Sequence, residues 1–254
     1  MRRATIRALL VLIILTQSAC SGSTDAPGAL GAQEQPKPLR YVAIGASETW
    51  GVGAGDQLRE AWPQVFYREA LPRHTAFVNL AVPGTTVAEA LTQQLPYARE
   101  LQPDLVTVWL NVNDIIAGVR PRKYEAGLYE LVSTLVRDAG VRVLIANSPP
   151  LDRLPAYQAC RPRYSGTLSC LAPFAPAPKE LNTIVDAYNS IVSRVASRTG
   201  SVLVDLHTRA LEARHEGTDL DLVSDDGFHP STRGHRAIAQ AFGAALKETP
   251  LPVE

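Results

Sequence analysis

Short apolar runs alternate with longer helix-like stretches along most of the chain. Five runs are rich in β-branched residues: 40–46 (RYVAIGA), 76–81 (AFVNLA), 104–110 (DLVTVWL), 141–147 (VRVLIAN) and 201–206 (SVLVDL). They are nearly continuous in apolar character rather than alternating, which predicts strands buried on both faces, as in a parallel sheet. Between them, Asp56 is placed to cap a helix to residue 70, with Pro63 fixing a turn early in it. Thr86 caps a helix to about residue 100, and Pro121 opens one that Gly140 ends. A fourth runs from Pro178 to about Arg198, and Ser231 caps the last, to about Lys247. Strand and helix in this alternation predict an α/β fold: a three-layer α/β/α sandwich around a five-stranded parallel sheet, with right-handed crossovers. Residues 148–177 break the rhythm. They are proline-rich, lack helical periodicity and carry two cysteines, and long loops of this kind are often functional.

The first 39 residues read differently. Arg2, Arg3 and Arg7 make a basic end, residues 8–15 are uniformly apolar, and Ser18 and Ala19 precede Cys20. This is the three-part layout of a secretory signal, and its apolar stretch is too short to span a bilayer as a stable helix, which takes about 20 residues. The segment QSAC resembles a bacterial lipobox, with Gln17 where an aliphatic residue is usual. Two outcomes follow: lipidation of Cys20, with the lipid as the only membrane attachment, or ordinary cleavage near Ala19. Residues 21–39 are rich in Gly, Ser, Ala and Pro and read as a linker. The expected organisation is a leader (1–19), a modified Cys20 with its linker (20–39) and a folded domain (40–254).

Composition narrows the function classes. The chain has 254 residues, 25 basic and 25 acidic. There is no basic excess of the kind that drives nucleic-acid binding. Removing residues 1–19 deletes three arginines and no acid, leaving 22 against 25, a net charge of −3. At 46 % hydrophobic residues the chain is too apolar to be disordered. No histidine has metal-ligand spacing with acids or cysteines, so neither metal nor cofactor is expected. Cys160 and Cys170 lie ten apart in the proline-rich loop. In an exported protein they are candidates for a disulfide, with two free thiols as the alternative.

In open α/β sheets, chemistry gathers at the carboxyl ends of the strands. Ser47 follows the first strand within Gly45-Ala46-Ser47-Glu48-Thr49-Trp50-Gly51-Val52-Gly53. Gly84 follows the second and Asn113 the third. Near the end, Asp226 and His229 stand three apart in Asp226-Gly227-Phe228-His229-Pro230. A histidine oriented by a carboxylate can act as general base toward a serine. Alone, the aspartates of that segment could equally cap the helix after Ser231.

Taken together and in order, these segments resemble the SGNH, or GDSL-like, hydrolase superfamily. Gly45–Gly51 matches its nucleophile block, with Ala46 in place of aspartate. Residues 79–84 match the block that supplies a glycine. Asn111-Val112-Asn113-Asp114 matches G-x-N-D, with Asn111 in place of glycine, and Asp226–Pro230 matches D-x-x-H-P. The resemblance implies a flavodoxin-like fold and a serine esterase. In that family Ser47 is the nucleophile, His229 the base and Asp226 its orienting acid. The oxyanion donors are the Ser47 and Gly84 N–H groups and the Asn113 amide. Asn111, by its departure from the G-x-N-D glycine, is a candidate to narrow the cleft or contact substrate, and Trp50 and Trp109, which flank the site in sequence, are candidates for an acyl pocket or for core packing. The expected substrate is a small-molecule or glycan ester. Two other readings stay open: an acyltransferase using the same acyl-enzyme, and a non-catalytic surface lipoprotein that binds glycan or protein. His207, with Asp205 two residues before it, is a rival for the base. His235 reads as a packing or surface residue, Asp114 as a brace for its loop, and Trp62 as helix-face core.

Overall fold

The computed structural model describes residues 37–137, 140–168, 170 and 175–249. In chain order the elements are β1 (Arg40–Gly45), α1 (Ser47–Trp50), α2 (Gln57–Glu60), α3 (Trp62–Ala70), β2 (Ala76–Asn79), α4 (Val87–Gln93), α5 (Leu95–Glu100) and β3 (Leu105–Trp109). They continue with α6 (Val112–Ile116), α7 (Pro121–Arg137), β4 (Arg142–Ala146), α8 (Pro155–Gln158), α9 (Pro178–Thr199), β5 (Val202–Val204), α10 (Leu206–Glu216), a 3-10 turn (Asp219–Leu222) and α11 (Thr232–Glu248). All strand pairs are parallel, in the order β2-β1-β3-β4-β5. The expected α/β fold with its five parallel strands is what the chain forms. The leader, Cys20 and most of the linker lie outside the described residues. Leu39, expected as the linker's last residue, belongs to the fold: its carbonyl accepts the Ala76 N–H at 2.7 Å.

Side chains alternate across each strand, so one apolar run fills two cores. Val42 and Ile44, Val106 and Val108, and Val143 and Ile145 face residues of α4, α5, α7 and α9. Tyr41 and Ala43, Leu105 and Trp109, and Leu144 and Ala146 face α3 and α11. There Trp62 stacks on Phe242, ring centroids 4.2 Å apart, so Trp62 is the core residue expected. Burying a side chain of this size contributes about 1.5–3 kcal/mol.

Two expected helices are each interrupted, and proline is the reason. Pro63 has no N–H to donate to Arg59, so the helix capped by Asp56 ends at Glu60 and restarts at Trp62. Pro96 has the same effect, and the helix begun at Thr86 breaks at Gln94. The Thr86 cap itself is a full capping box with Glu89. Helix α10 was not anticipated. Of its residues only Leu206 is buried, so no apolar stripe marks it. Its start also shortens the fifth strand, since Asp205 caps it and Leu206 is its first residue.

Candidate active site

Residues beyond the strand ends converge at the carboxyl edge of the sheet. Ser47 is the first residue of α1, so its N–H has no acceptor within the helix. Asn79, at the end of β2, donates from Nδ2 to the Thr49 carbonyl at 2.8 Å and accepts the Ala81 N–H at 3.1 Å. It thereby ties the Gly84 loop to the nucleophile helix. Gly84 has φ +85°, and beyond its own residue and its two chain neighbours no atom lies within 4 Å of where a side chain would begin. Asn113 donates from Nδ2 to the Thr85 carbonyl at 3.2 Å. An amide nitrogen carries two hydrogens, so a second remains for a ligand. Asp114 braces this block as expected, accepting the Val87 N–H at 3.0 Å. Burial pushes its carboxyl up to about 6, against the lowering effect of that N–H.

Gln94 holds the serine and glycine segments together, and sequence reasoning missed it. It is 1 % exposed. Its Oε1 accepts the Gly45 N–H at 3.0 Å, and its Nε2 donates to the Gly45 carbonyl at 2.9 Å and to Thr85 Oγ1 at 3.3 Å. Strand β2 has ended by this level: the Gly45 carbonyl still accepts the Val82 N–H at 3.3 Å, and the Gln94 side chain supplies the acceptor for the Gly45 N–H. Nothing in the local pattern marks such a residue. It sits at a helix break whose location depends on Pro96.

The Asp226–His229 turn comes from outside the sheet. Asp226 Oδ2 lies 2.5 Å from His229 Nδ1. Its Oδ1 accepts the N–H groups of Phe228 and His229 and the Ser224 hydroxyl, at 2.7–2.9 Å. Burial opposes ionisation, but these donors outweigh it and hold the Asp226 carboxyl at about 2. Gly53 is what lets the serine loop approach this turn. A side chain there would begin 2.3 Å from the Pro230 carbonyl, and its φ of +90° favours glycine. His235 ties the same loop from below. It is fully buried, accepts the Trp62 N–H at Nδ1 (3.2 Å) and so donates from Nε2 to the Val52 carbonyl (3.0 Å). Of the two readings the sequence left open, packing or surface, it is the packing residue, with a polar tether that the sequence did not reveal.

The proline-rich loop braces the turn from the other side. Cys160 and Cys170 are joined in a disulfide, Cα atoms 4.6 Å apart. Ala156 donates its N–H to the Gly227 carbonyl at 3.0 Å. Phe228 packs with Leu154 and Tyr157 against Val112 and Leu151. Beside the imidazole opens a cleft of about 320 Å³, lined by Trp109, Leu154, Leu206, Phe228, His229 and Ile238 among others.

Other expectations resolve as follows. Asn111, a candidate for substrate contact, turns toward the neighbouring strand. It is 2 % exposed and donates to the Ala146 carbonyl at 3.2 Å, cross-linking the ends of β3 and β4. Trp50 is 46 % exposed, three residues beyond Ser47. Trp109 is buried in the core while also lining the cleft. His207 is engaged elsewhere, its Nδ1 lying 3.0 Å from the Ser148 carbonyl and 3.1 Å from Asn189 Nδ2. Among the described residues, no cluster of His, Cys, Asp and Glu suited to a metal ion is present, and no helix is long and apolar enough to cross a membrane.

Comparison with known proteins fits this geometry. The model of the GDSL-like Lipase/Acylhydrolase family matches residues 43–237. The chain belongs to that hydrolase family. An acetylxylan esterase from Xylanibacter ruminicola is 25 % identical over 226 residues, covering 82 % of this chain. The chain spans only 43 % of that relative's length. Solved structures with the same fold include a lipase/acylhydrolase from Enterococcus faecalis (TM-score 0.64, 18 % identity, 85 % of this chain and 99 % of that one). An α/β hydrolase enzyme from the metagenome of Lake Arreo, Spain, is similar (TM-score 0.61, 22 % identity, 82 % and 95 %).

Proposed function

We propose that this member of the family is a serine esterase that cleaves carboxylic esters through an acyl-enzyme on Ser47. The observation that carries the reading is the 2.5 Å Asp226–His229 pair, packed against the loop that follows Ser47. His229 takes the serine proton as the Oγ–carbon bond forms, and Asp226 stabilises the resulting imidazolium. The ester carbonyl becomes an oxyanion, and the N–H groups of Ser47 and Gly84 with the second N–H of Asn113 receive it. His229 then protonates the departing alkoxide, and water releases the acyl group by the same steps. The likeness to an acetylxylan esterase makes short acyl esters of carbohydrates the first substrates to assay. A fluorophosphonate probe tests the chemistry. The expected result is an adduct on Ser47 that is lost in Ser47→Ala and His229→Ala. An unlabelled wild-type protein overturns it.

We further propose that the protein is exported and held at a membrane by lipid on Cys20. The basic end, the apolar stretch and the small residues before Cys20 support this. A mature N-terminus at Cys20 carrying the mass of acyl chains is expected. A mature protein that retains Met1 overturns export, and a free N-terminus beyond Ala19 overturns the anchor.

A further inference from the structure

The cleft beside the imidazole is not used by the mechanism above. Of the residues assigned to the reaction it touches His229 alone: Ser47, Gly84, Asn113 and Asp226 do not line it. That fixes its place relative to a bound ester. The carbonyl oxygen of the ester lies among the donors of Ser47, Gly84 and Asn113. The leaving oxygen must come within about 3 Å of His229 Nε2 to receive its proton. The alcohol part of the ester is therefore the part nearest the cleft.

The walls decide which alcohol fits. Trp109, Leu206 and Phe228 give an apolar floor, buried or half-buried. Six charged side chains also line the cleft: Arg153, Arg209 and Arg214 against Glu212, Glu216 and Asp219. Arg214 is held by Asp152 at 2.8 Å, and Arg153 lies 3.3 Å from Asp219. Arg209, Glu212 and Glu216 stand exposed on α10, and among the described residues their side chains make no ion pair or hydrogen bond. Three charges of each sign favour neither an anion nor a cation. A neutral alcohol rich in hydroxyls suits both signs, because each hydroxyl donates and accepts. The apolar floor suits the C–H face of a ring. We propose that this cleft binds the alcohol part of the substrate and that this part is a sugar residue. The inference rests on the esterase reading and names its substrate class. At about 320 Å³ the cleft is at the lower end of the range of about 300–1,000 Å³ for small-molecule pockets, which suits one sugar unit rather than a long chain of them.

The test pairs two acetates that differ only in the alcohol: a methyl glucopyranoside monoacetate and ethyl acetate. The full wild-type chain should show a KM about tenfold lower for the glycoside ester, the worth of one or two added hydrogen bonds. Ala210→Trp fills the cleft from α10, where Ala210 is half-buried. It should raise the KM for the glycoside ester by about tenfold, leaving kcat/KM for ethyl acetate and the rate of fluorophosphonate labelling unchanged. Equal losses on both esters overturn the proposal, because the filled cleft then acts through His229 and not on the alcohol. No loss on either ester also overturns it. If Ala210→Trp does not fold, the double variant Arg209→Ala with Glu212→Ala decides, since both side chains are exposed. A severalfold rise in KM for the glycoside ester alone supports the proposal, and an unaltered KM overturns it. Wild-type protein that takes the label but does not prefer the glycoside ester overturns this proposal alone. Wild-type protein that takes no label overturns the esterase reading beneath it, so the two failures are distinguishable.

Discussion

The two sides of the site are built by different means. The side carrying Ser47, Gly84 and Asn113 grows directly from the ends of β1, β2 and β3. Buried and half-buried side chains cross-link it: Gln94 to Gly45 and Thr85, Asn79 to Thr49, Asn113 to Thr85 and Asp114 to Val87. The side carrying Asp226 and His229 has no strand beneath it. Its turn closes on itself through Asp226 and is held by neighbours: the Gly53 approach, Phe228 in its apolar pocket, and the stapled loop bonded to Gly227. The oxyanion donors thus share the stability of the sheet, whereas the base is docked onto it. Breaking a hydrogen-bonded cross-link on the first side should cost stability and rate together. Changes within the Asp226–His229 turn itself should cost rate far more than stability.

The largest expected effect tests that separation. Asp226→Asn should lower kcat by about 10³–10⁴-fold by removing the charge that orients and stabilises the imidazolium, with the melting temperature at neutral pH only a few degrees lower, since the carboxylate is partly exposed to solvent. Because folding holds Asp226 ionised down to about pH 2, its contribution to stability is present above the ordinary carboxylate range near 4. It is lost as pH falls from there through 2. Wild type and variant should therefore converge in acid melts below about pH 2. If the variant melts far below the wild type at pH 7, the docked turn is part of the core and the contrast fails.

Gln94→Ala comes next. It strands the Gly45 N–H, costing about 1–3 kcal/mol when buried and unpaired, and leaves the Gly45 carbonyl with the Val82 N–H alone. Displacing the neighbouring oxyanion donors should lower kcat by about 10–10²-fold. Thermal melts and kcat measured on one preparation should fall together. An active but destabilised variant would show that Gln94 supports the fold alone.

Replacing both Cys160 and Cys170 by serine should cost about 2–3 kcal/mol for a ten-residue loop. It should also lower kcat severalfold through the Gly227 contact. Denaturant unfolding and turnover measure the two separately. An unaltered kcat would show that the staple stabilises the loop without bracing the turn.

The smallest effect is expected at Asp114. Its carboxyl is pushed up by burial to about 6, so ionising it costs stability as pH rises through 6. Asn keeps an acceptor for the Val87 N–H without the charge. Asp114→Asn should match the wild type near pH 4 and melt about 2–4 °C higher at pH 8. A difference that shrinks as pH rises would contradict the assignment.

Much of this was legible along the chain. The five strands, the caps at Asp56, Thr86 and Ser231, and the strand-end positions of Ser47, Gly84 and Asn113 are local features with local causes. The bond from Asn111 to Ala146 was not legible, because a residue at a strand end can point toward the cleft or toward the next strand, and only the register with β4 decides. Helix α10 was missed because its exposed surface leaves no apolar period. The break at Gln94 shows the limit from the other direction: Pro96 was visible, but its effect on a helix with a strong cap was not.

The sequence by itself determined the layered α/β architecture and the order of the motif residues, because apolar periodicity, capping and proline chemistry act over a few residues. Only the tertiary structure decided that Gln94 completes the edge of β1, that His235 tethers the serine loop, and that the stapled loop supports the Asp226–His229 turn. Each of these joins residues that are distant in the chain. Their partners are chosen by how the layers pack, which no local pattern encodes.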